Sequence, residues 1–586
     1  MKFRAIPPRR HPDRPISGRV RLSEWWFPLA LSALLLALVW IPFSDAFRRS
    51  NDSERFMGLI GSTAIDDNNV YLGLMRQAAE GRTLFTNNFT PEPNRPILFN
   101  VLYLGLGGIS RITGWSLDFT HRGFMAVSIV LLVLSIYSFI AAGVRRPRYR
   151  RFALVLACLG GGLLWLSRLL LRFGGIDLRP ITSWLVEVNL FHAMLVYPHF
   201  VFAAALLTAS LALQLKSERV RSFGPAIAGG ACLAILAFSH AFEAVAAIPI
   251  AVAYLLLEWL GRGASPSMNR WKCAALVAGI PLPFMALNYW ILSREPMWGD
   301  VVRRLTFYTP DPFRLIMSLG VTFFITVLTF EGFLRVDRPS GERMAKGWLL
   351  VVLFLAYVPS INWRWHLLNG IQIPLSVLAT QGLRRTLFLR LQIKRRGWRR
   401  SAGKLRALLL RPQLAAAMSL IAVLACLSAL NLFLSYREEA KRIASPVYLP
   451  GSEVDAMAWM SRQVPRDSVI FAAYVTGNYV PRLSGQRVFL GEDKLTAGYE
   501  DRIAQVHSFY ATSQSDEARL ELLRRFDVRY VFYGPEEKKL GPYDPEGAPF
   551  LQRVYAQDGV KIFRVAGPGG EPGHALARQN PSRGKP

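Results

Sequence analysis

The chain of 586 residues is 52% hydrophobic and carries 70 Lys+Arg against 40 Asp+Glu, a formal net charge of +30. Its apolar residues gather in windows of about 20, such as 25–43 and 123–143, the length that crosses the ~30 Å hydrocarbon layer of a bilayer. A cytosolic enzyme is excluded, and so is a nucleic-acid binder: residues 436–586 hold 21 basic and 19 acidic side chains, and the excess in 1–435 (49 against 21) lies in short loops between apolar windows, where positive charge sets membrane topology.

In chain order, residues 1–24 carry seven basic and two acidic side chains ahead of the first window. They read as the cytoplasmic flank of an uncleaved signal anchor. The loop 44–122 then lies outside. Within it, Leu98–Thr113 is predicted to lie along the outer interface rather than to cross. If it crossed, segments 144–151, 216–223, 261–272, 335–346 and 384–411 would face outward with 26 basic and three acidic residues, against the positive-inside rule. Further spans are predicted near 123–143, 152–171, 199–215, 225–239, 243–260, 273–292, 314–334, 347–360, 371–383 and 413–434. With the first they make eleven, in the inner (cytoplasmic) membrane of a bacterial cell, with the N-terminus inside and the C-terminus outside. Cys158, Cys232, Cys273 and Cys426 all fall in apolar spans without CxxC spacing and read as small core residues.

Beyond 435 the composition is that of a water-soluble unit. Helical patterns near 451–463, 498–511 and 514–526 alternate with β-branched or aromatic runs at 468–473, 487–490, 528–533 and 560–564. This predicts a small extracytoplasmic α/β domain over 436–565. The Gly-, Pro- and charge-rich tail 566–586 reads as disordered.

The unusual polar residues crowd the predicted outer loops. Asp66-Asp67-Asn68-Asn69 precedes a helical stretch that ends at Gly81. Two adjacent carboxylates raise one another's proton affinity, which suits a general base, and they suit a hard divalent cation equally. They also suit the plain task of capping the helix that follows. The second outer loop and the span starts hold Glu187, His192, Tyr197, His199 and His240, which read as a polar pocket wall because their spacing fits no metal pattern. A later outer loop has Arg303-Arg304, and another reads Trp363-Arg364-Trp365-His366. An arginine between two tryptophans serves as an interfacial anchor, or as a bidentate phosphate clamp beside a lipid chain.

Taken together, these features resemble the GT-C membrane glycosyltransferases, a group that includes protein O-mannosyltransferases, aminoarabinose transferases and oligosaccharyltransferases. The resemblance covers most of 1–435. It rests on the long acidic first outer loop, the juxtamembrane helix, the number of spans and the outward C-terminal domain. Local strings add to it: Tyr71-Leu72-Gly73-Leu74, Tyr197-Pro198-His199-Phe200, Asn369-Gly370-Ile371-Gln372 and Thr476-Gly477-Asn478. It implies a GT-C-like membrane domain over 25–435 and a sugar donor on a polyprenyl phosphate. It also implies an acceptor that is a glycan, lipid or protein, and an inverting transfer in the cell envelope. By position, Asp66 or Asp67 matches the family's first-loop catalytic carboxylate. Arg364 matches the site where several members hold the lipid phosphate, with His366, Arg303 and Arg304 as further donor-phosphate candidates. No Asp-x-Asp occurs in the loop, so the choice between Asp66 and Asp67, and the need for Mg or Mn on either, stay open. A transporter or flippase of lipid-linked glycans and a non-catalytic envelope assembly protein are the competing readings.

Overall fold

A computed structural model describes residues 20–178, 180, 185–262, 265–304, 311–329, 338–388 and 403–566. Most of the basic N-terminus, half of the loop 384–411 and the tail 567–586 lie outside the described residues. The chain divides into two units, one comprising Met1–Thr86 with Arg95–Tyr448, the other Asn87–Asn94 with everything from Leu449 onward.

The first unit is a multi-pass helical membrane bundle. Among the described residues six helices are long and apolar enough to cross a bilayer: Leu22–Arg49, Leu117–Gly143, Pro198–Val220, Ala241–Gly261, Met268–Arg294 and Ala415–Lys441. The pair Pro147–Leu159 and Leu164–Gly174, bent by 57°, passes the same test only when its two helices are joined. Gly224–Ala237 and Pro312–Leu328 are shorter apolar helices, and Ser340–Leu355 and Gln372–Leu383 occupy two further predicted spans. These positions follow the predicted order, but the shorter helices fall below the length of a full crossing, and eleven full-length crossings are not found among the described residues. All four cysteines are free.

Helix Val101–Thr113, expected at the interface, has 13 residues, about 20 Å at 1.5 Å per residue and too short for the hydrocarbon layer. Asn100 caps it, its side chain accepting from the Leu102 and Tyr103 amides. It packs on helix Ile65–Ala79 through Gly107, where a Cβ would collide with Ala78 and the Met75 carbonyl.

The bend after Leu159 falls in Gly160-Gly161-Gly162. There the backbone of Gly162 packs directly on Gly320, whose φ of 63° and ψ of −147° interrupt Pro312–Leu328. Ser428 satisfies the opened turn, donating to the Gly162 carbonyl at 2.9 Å and accepting from the Leu164 amide at 3.1 Å. Only glycine adopts the Gly320 conformation readily, and a Cβ there would sit 2.7 Å from Gly162. Gly320→Ala should therefore destabilise the protein by about 1–3 kcal/mol. Gly123→Ala, with open space around it, should not. Thermal unfolding of the two variants in detergent checks the contrast.

In the second unit, Val469–Phe471 lies between Arg487–Val488 and Val528–Tyr533, parallel to both. Val560–Val565 pairs antiparallel with Val528–Tyr533 and with Leu551–Gln557. Helices Gly451–Gln463, Tyr474–Leu483, Tyr499–Tyr510 and Asp516–Arg525 complete the predicted α/β unit. The predicted boundary at 435 falls inside a helix, because Gly403–Lys441 runs on as one element. The unit also takes in eight residues of the first loop. Asn88 accepts from the Val488 amide, Arg487 donates to the Pro91 carbonyl, and Glu92 pairs with Arg502. Glu537 sits at the carboxyl ends of the parallel strands, the edge at which ligands bind in open α/β sheets. Its buried carboxylate accepts from the Ala473 and Gly534 amides at 2.8 and 2.9 Å, and burial pushes its pKa up.

Candidate functional site

Helix Ile65–Ala79 opens with Asp66 and Asp67 in its first turn. Asn68 anchors that turn, donating to the Ala64 carbonyl at 2.8 Å and to the Val196 carbonyl at 3.1 Å. This brings the turn beside the start of the Pro198–Val220 helix, where the Tyr197 hydroxyl donates to Asp67 Oδ2 at 2.7 Å. Burial, with the Asp67 and Glu187 charges nearby, raises the Tyr197 pKa far above the ordinary phenol range. The hydroxyl therefore keeps its proton and its role as donor. Capping alone does not account for Asp67, since its carboxylate reaches across to a different element.

An aromatic and imidazole surface continues from this pair. Tyr71 stacks on Tyr103 at 4.9 Å and lies 4.3 Å from the His199 ring. His199 in turn sits 5.4 Å from both Tyr197 and His240, and His240 lies 5.7 Å from His366. Phe200 packs between them, 4.5 Å from His199 and 5.6 Å from His366. Phe242 stacks on His366 at 4.4 Å and also meets Trp363.

Two of the imidazoles are held by carboxylates. His240 Nδ1 lies 2.5 Å from Glu243 Oε2, and Asn369 fixes that glutamate by donating to Oε1 at 2.6 Å. His366 Nδ1 lies 2.9 Å from Glu187 Oε1. At His240 the carboxylate at Nδ1 sets the tautomer and leaves Nε2 as the nitrogen a ligand would meet. The starts of Pro198–Val220 and Ala241–Arg262 meet here as well, and helix N-termini favour negative charge.

The predicted residues divide into two groups. Asp67, Glu187, Tyr197, His199, His240 and His366 come together, and Asp66 adjoins them on the same turn. His192 turns elsewhere: its Nε2 shares a 2.6 Å hydrogen bond with the Tyr436 hydroxyl. Arg303 and Arg304 pair with Asp300 on their own helix, at 3.7 and 2.7 Å. Arg364 donates to the Pro359 and Ile361 carbonyls of its own loop, both at 3.1 Å. Glu243 and Asn369 were not predicted as site residues. Glu243 stands three residues after His240, a helical spacing that hints at the pair, whereas Asn369 has no such signal. Among the described residues no three His, Cys, Asp or Glu side chains are placed to share a metal ion. Asp66 and Asp67 thus have no third such side chain placed with them among the described residues.

The fold and site define a multi-pass membrane protein with an acidic, imidazole-lined centre where several helix ends converge. No protein-family model matches the sequence, and no curated protein matches it. Solved structures do. The oligosaccharyltransferase AglB from Archaeoglobus fulgidus, in complex with an inhibitory peptide and a dolichol-phosphate, is similar at a TM-score of 0.56 and 13% identity, over 88% of this chain and 70% of its own. Arabinofuranosyltransferase AftD from Mycobacteria is similar at a TM-score of 0.51 and 14% identity, over 94% and 40%. ArnT from Cupriavidus metallidurans, bound to undecaprenyl phosphate, is similar at a TM-score of 0.50 and 13% identity, over 94% and 100%. All three are GT-C glycosyltransferases, and the chain has the GT-C fold.

Proposed function

We propose that the protein is a membrane glycosyltransferase that moves a sugar from a polyprenyl phosphate to an acceptor on the extracytoplasmic side, with Asp67 as general base. One observation carries this reading: Asp67 meets Tyr197 at the end of the bundle where His199, His240 and His366 gather. The GT-C fold supports it, as do the dolichol-phosphate and undecaprenyl phosphate bound by AglB and ArnT.

An acceptor hydroxyl has a pKa far above 7 and is a weak nucleophile. As its oxygen bonds to the anomeric carbon, its proton passes to the Asp67 carboxylate. The bond from that carbon to the phosphate oxygen breaks, and the electron pair leaves with the polyprenyl phosphate. Attack opposite the leaving group inverts the anomeric centre. The departing charge is met by the N-termini of Pro198–Val220 and Ala241–Arg262 and by the imidazoles of His240 and His366. Such fixed dipoles and donors stabilise charge without reorganising. Arg364 stands two residues before His366, with its guanidinium closing that loop on the Pro359 and Ile361 carbonyls.

The test presents membranes containing the full chain with labelled polyprenyl-phosphate sugars and follows label into acceptor as polyprenyl phosphate is released. Transfer by the native chain, lost in Asp67→Asn, supports the reading. Flipping of the lipid without cleavage of its sugar would replace it with transport. Cysteine labelling that placed positions 67 and 364 on opposite faces of the membrane would refute a common site.

A further inference from the structure

We infer that the His192–Tyr436 hydrogen bond is a positioning pair that sets Asp67, through which the last membrane helix holds the base in place. This rests on Asp67 being the base. Neither His192 nor Tyr436 belongs to the ring of groups around His199, yet the structure ties both to the turn that carries Asp67.

The ties run along two short paths. On one side, His192 lies in helix Leu190–Val196, which Asn189 caps by accepting from the Phe191 and His192 amides. That helix ends at Val196, whose carbonyl accepts from Asn68, and passes directly into Tyr197, the donor to Asp67. On the other side, the Tyr436 ring packs against the segment leading into the Asp66–Asp67 turn. Gly61 has a φ of 86°, and a Cβ there would lie 2.9 Å from both Tyr436 Cε1 and Val196 Cγ1. One turn further along the last helix, Glu439 accepts from the Ser62 amide at 2.6 Å. Both routes to Asp67, through Tyr197 and through Gly61–Ala64, thus meet at the His192–Tyr436 contact. The two side chains are buried, and their rings lie 5.5 Å apart.

A hydrogen bond in this place fixes the angle at which the Asp67 turn meets Tyr197. Its loss leaves the donor lipid's contacts around His240 and His366 intact and spoils the alignment of the base.

The experiment uses the full chain in membranes and the transfer assay above. Tyr436→Phe keeps the ring and removes the hydroxyl. Misplacement by a fraction of an ångström to about 1 Å costs up to roughly 10²-fold in rate, so kcat should fall by about that factor with the donor KM and the thermal midpoint unchanged. His192→Ala should lower kcat similarly, and the double variant should be no worse than either single one, because the two act as a unit. Gly61→Ala presses on the same contact but is strained at a φ of 86°, so it should lower the thermal midpoint as well as kcat and serves as the destabilised comparison. An unchanged kcat in Tyr436→Phe, with Asp67→Asn inactive, overturns the positioning role and leaves the base assignment standing. Losses that add in the double variant and follow the thermal midpoint mark a stability effect and also overturn it. Full activity in Asp67→Asn removes both proposals.

Discussion

Asp67→Asn should lower transfer by about 10²–10⁴-fold, the usual contribution of a positioned general base, while the donor KM stays within a few-fold. Asparagine has the same shape and can still accept from Tyr197, so the contact that orients the turn survives and only the proton acceptor is lost. The fall should therefore appear in kcat. Tyr197→Phe removes the 2.7 Å donor to Oδ2 but leaves the carboxylate, and should cost less. Asp66→Asn, made separately, is the necessary comparison. Asp66 shares the first turn but points along a different direction of the helix, since adjacent helical residues do not face the same way. If Asp66→Asn abolishes transfer and Asp67→Asn does not, the two roles are exchanged. Labelled sugar transferred per minute at saturating donor, with a donor titration for each variant, measures all four proteins.

The outline of this fold could be read from the sequence because the bilayer imposes a length on every crossing. Helix Leu117–Gly143 begins six residues ahead of the predicted window at 123, and Pro198–Val220 begins one residue ahead of that at 199. Charge counting, which needs no tertiary contact, also predicts that Leu98–Thr113 does not cross, and the helix that forms there has 13 residues. Windows of hydropathy cannot see a break inside an apolar run. The predicted span 152–171 turns by 57° at its three glycines, because Gly320 on another helix needs backbone contact there. The glycines are visible in the sequence, but their partner is 158 residues away.

The site was legible as a set of residue types and illegible as a set of pairs. Asp67, Tyr197, His199, His240 and His366 stand out because ionisable groups at helix ends in a membrane protein are costly unless used. Which carboxylate orients which imidazole depends on tertiary packing. Glu187 reaches His366, and Asn369 reaches Glu243, across more than a hundred residues. Arg364 shows how little a local setting fixes: its place between tryptophans suggests a clamp, and its guanidinium donates to the Pro359 and Ile361 carbonyls of its own loop. The joining of Asn87–Asn94 to the second unit had no sequence signal, since a turn-rich loop reads the same wherever it docks.

Glu258→Gln should be among the most destabilising single changes in the membrane unit, at about 3–5 kcal/mol, the range for breaking a buried ion pair by removing one partner. Glu258 is fully buried at the ends of the helices remote from the site. Its carboxylate pairs with Arg270 through Oε2 and with Arg343 through Oε1. Arg270 reaches on to Glu218 at 3.3 Å, and Glu218 accepts from the Tyr254 hydroxyl at 2.6 Å. The network joins helices Pro198–Val220, Ala241–Arg262, Met268–Gly279 and Ser340–Leu355, so removing its central charge leaves two guanidiniums facing each other across a low-dielectric space. Arg343→Met removes one of those cations and fills its volume. Introduced alone it should be damaging, because Glu258 loses a partner; combined with Glu258→Gln it should cost less than the sum of the two, because fewer charges are then stranded. Thermal midpoints of the three variants at a fixed scan rate in one detergent decide the matter. Additive losses would show that Glu258 and Arg343 act independently, and that the helices are held there by packing rather than by charge.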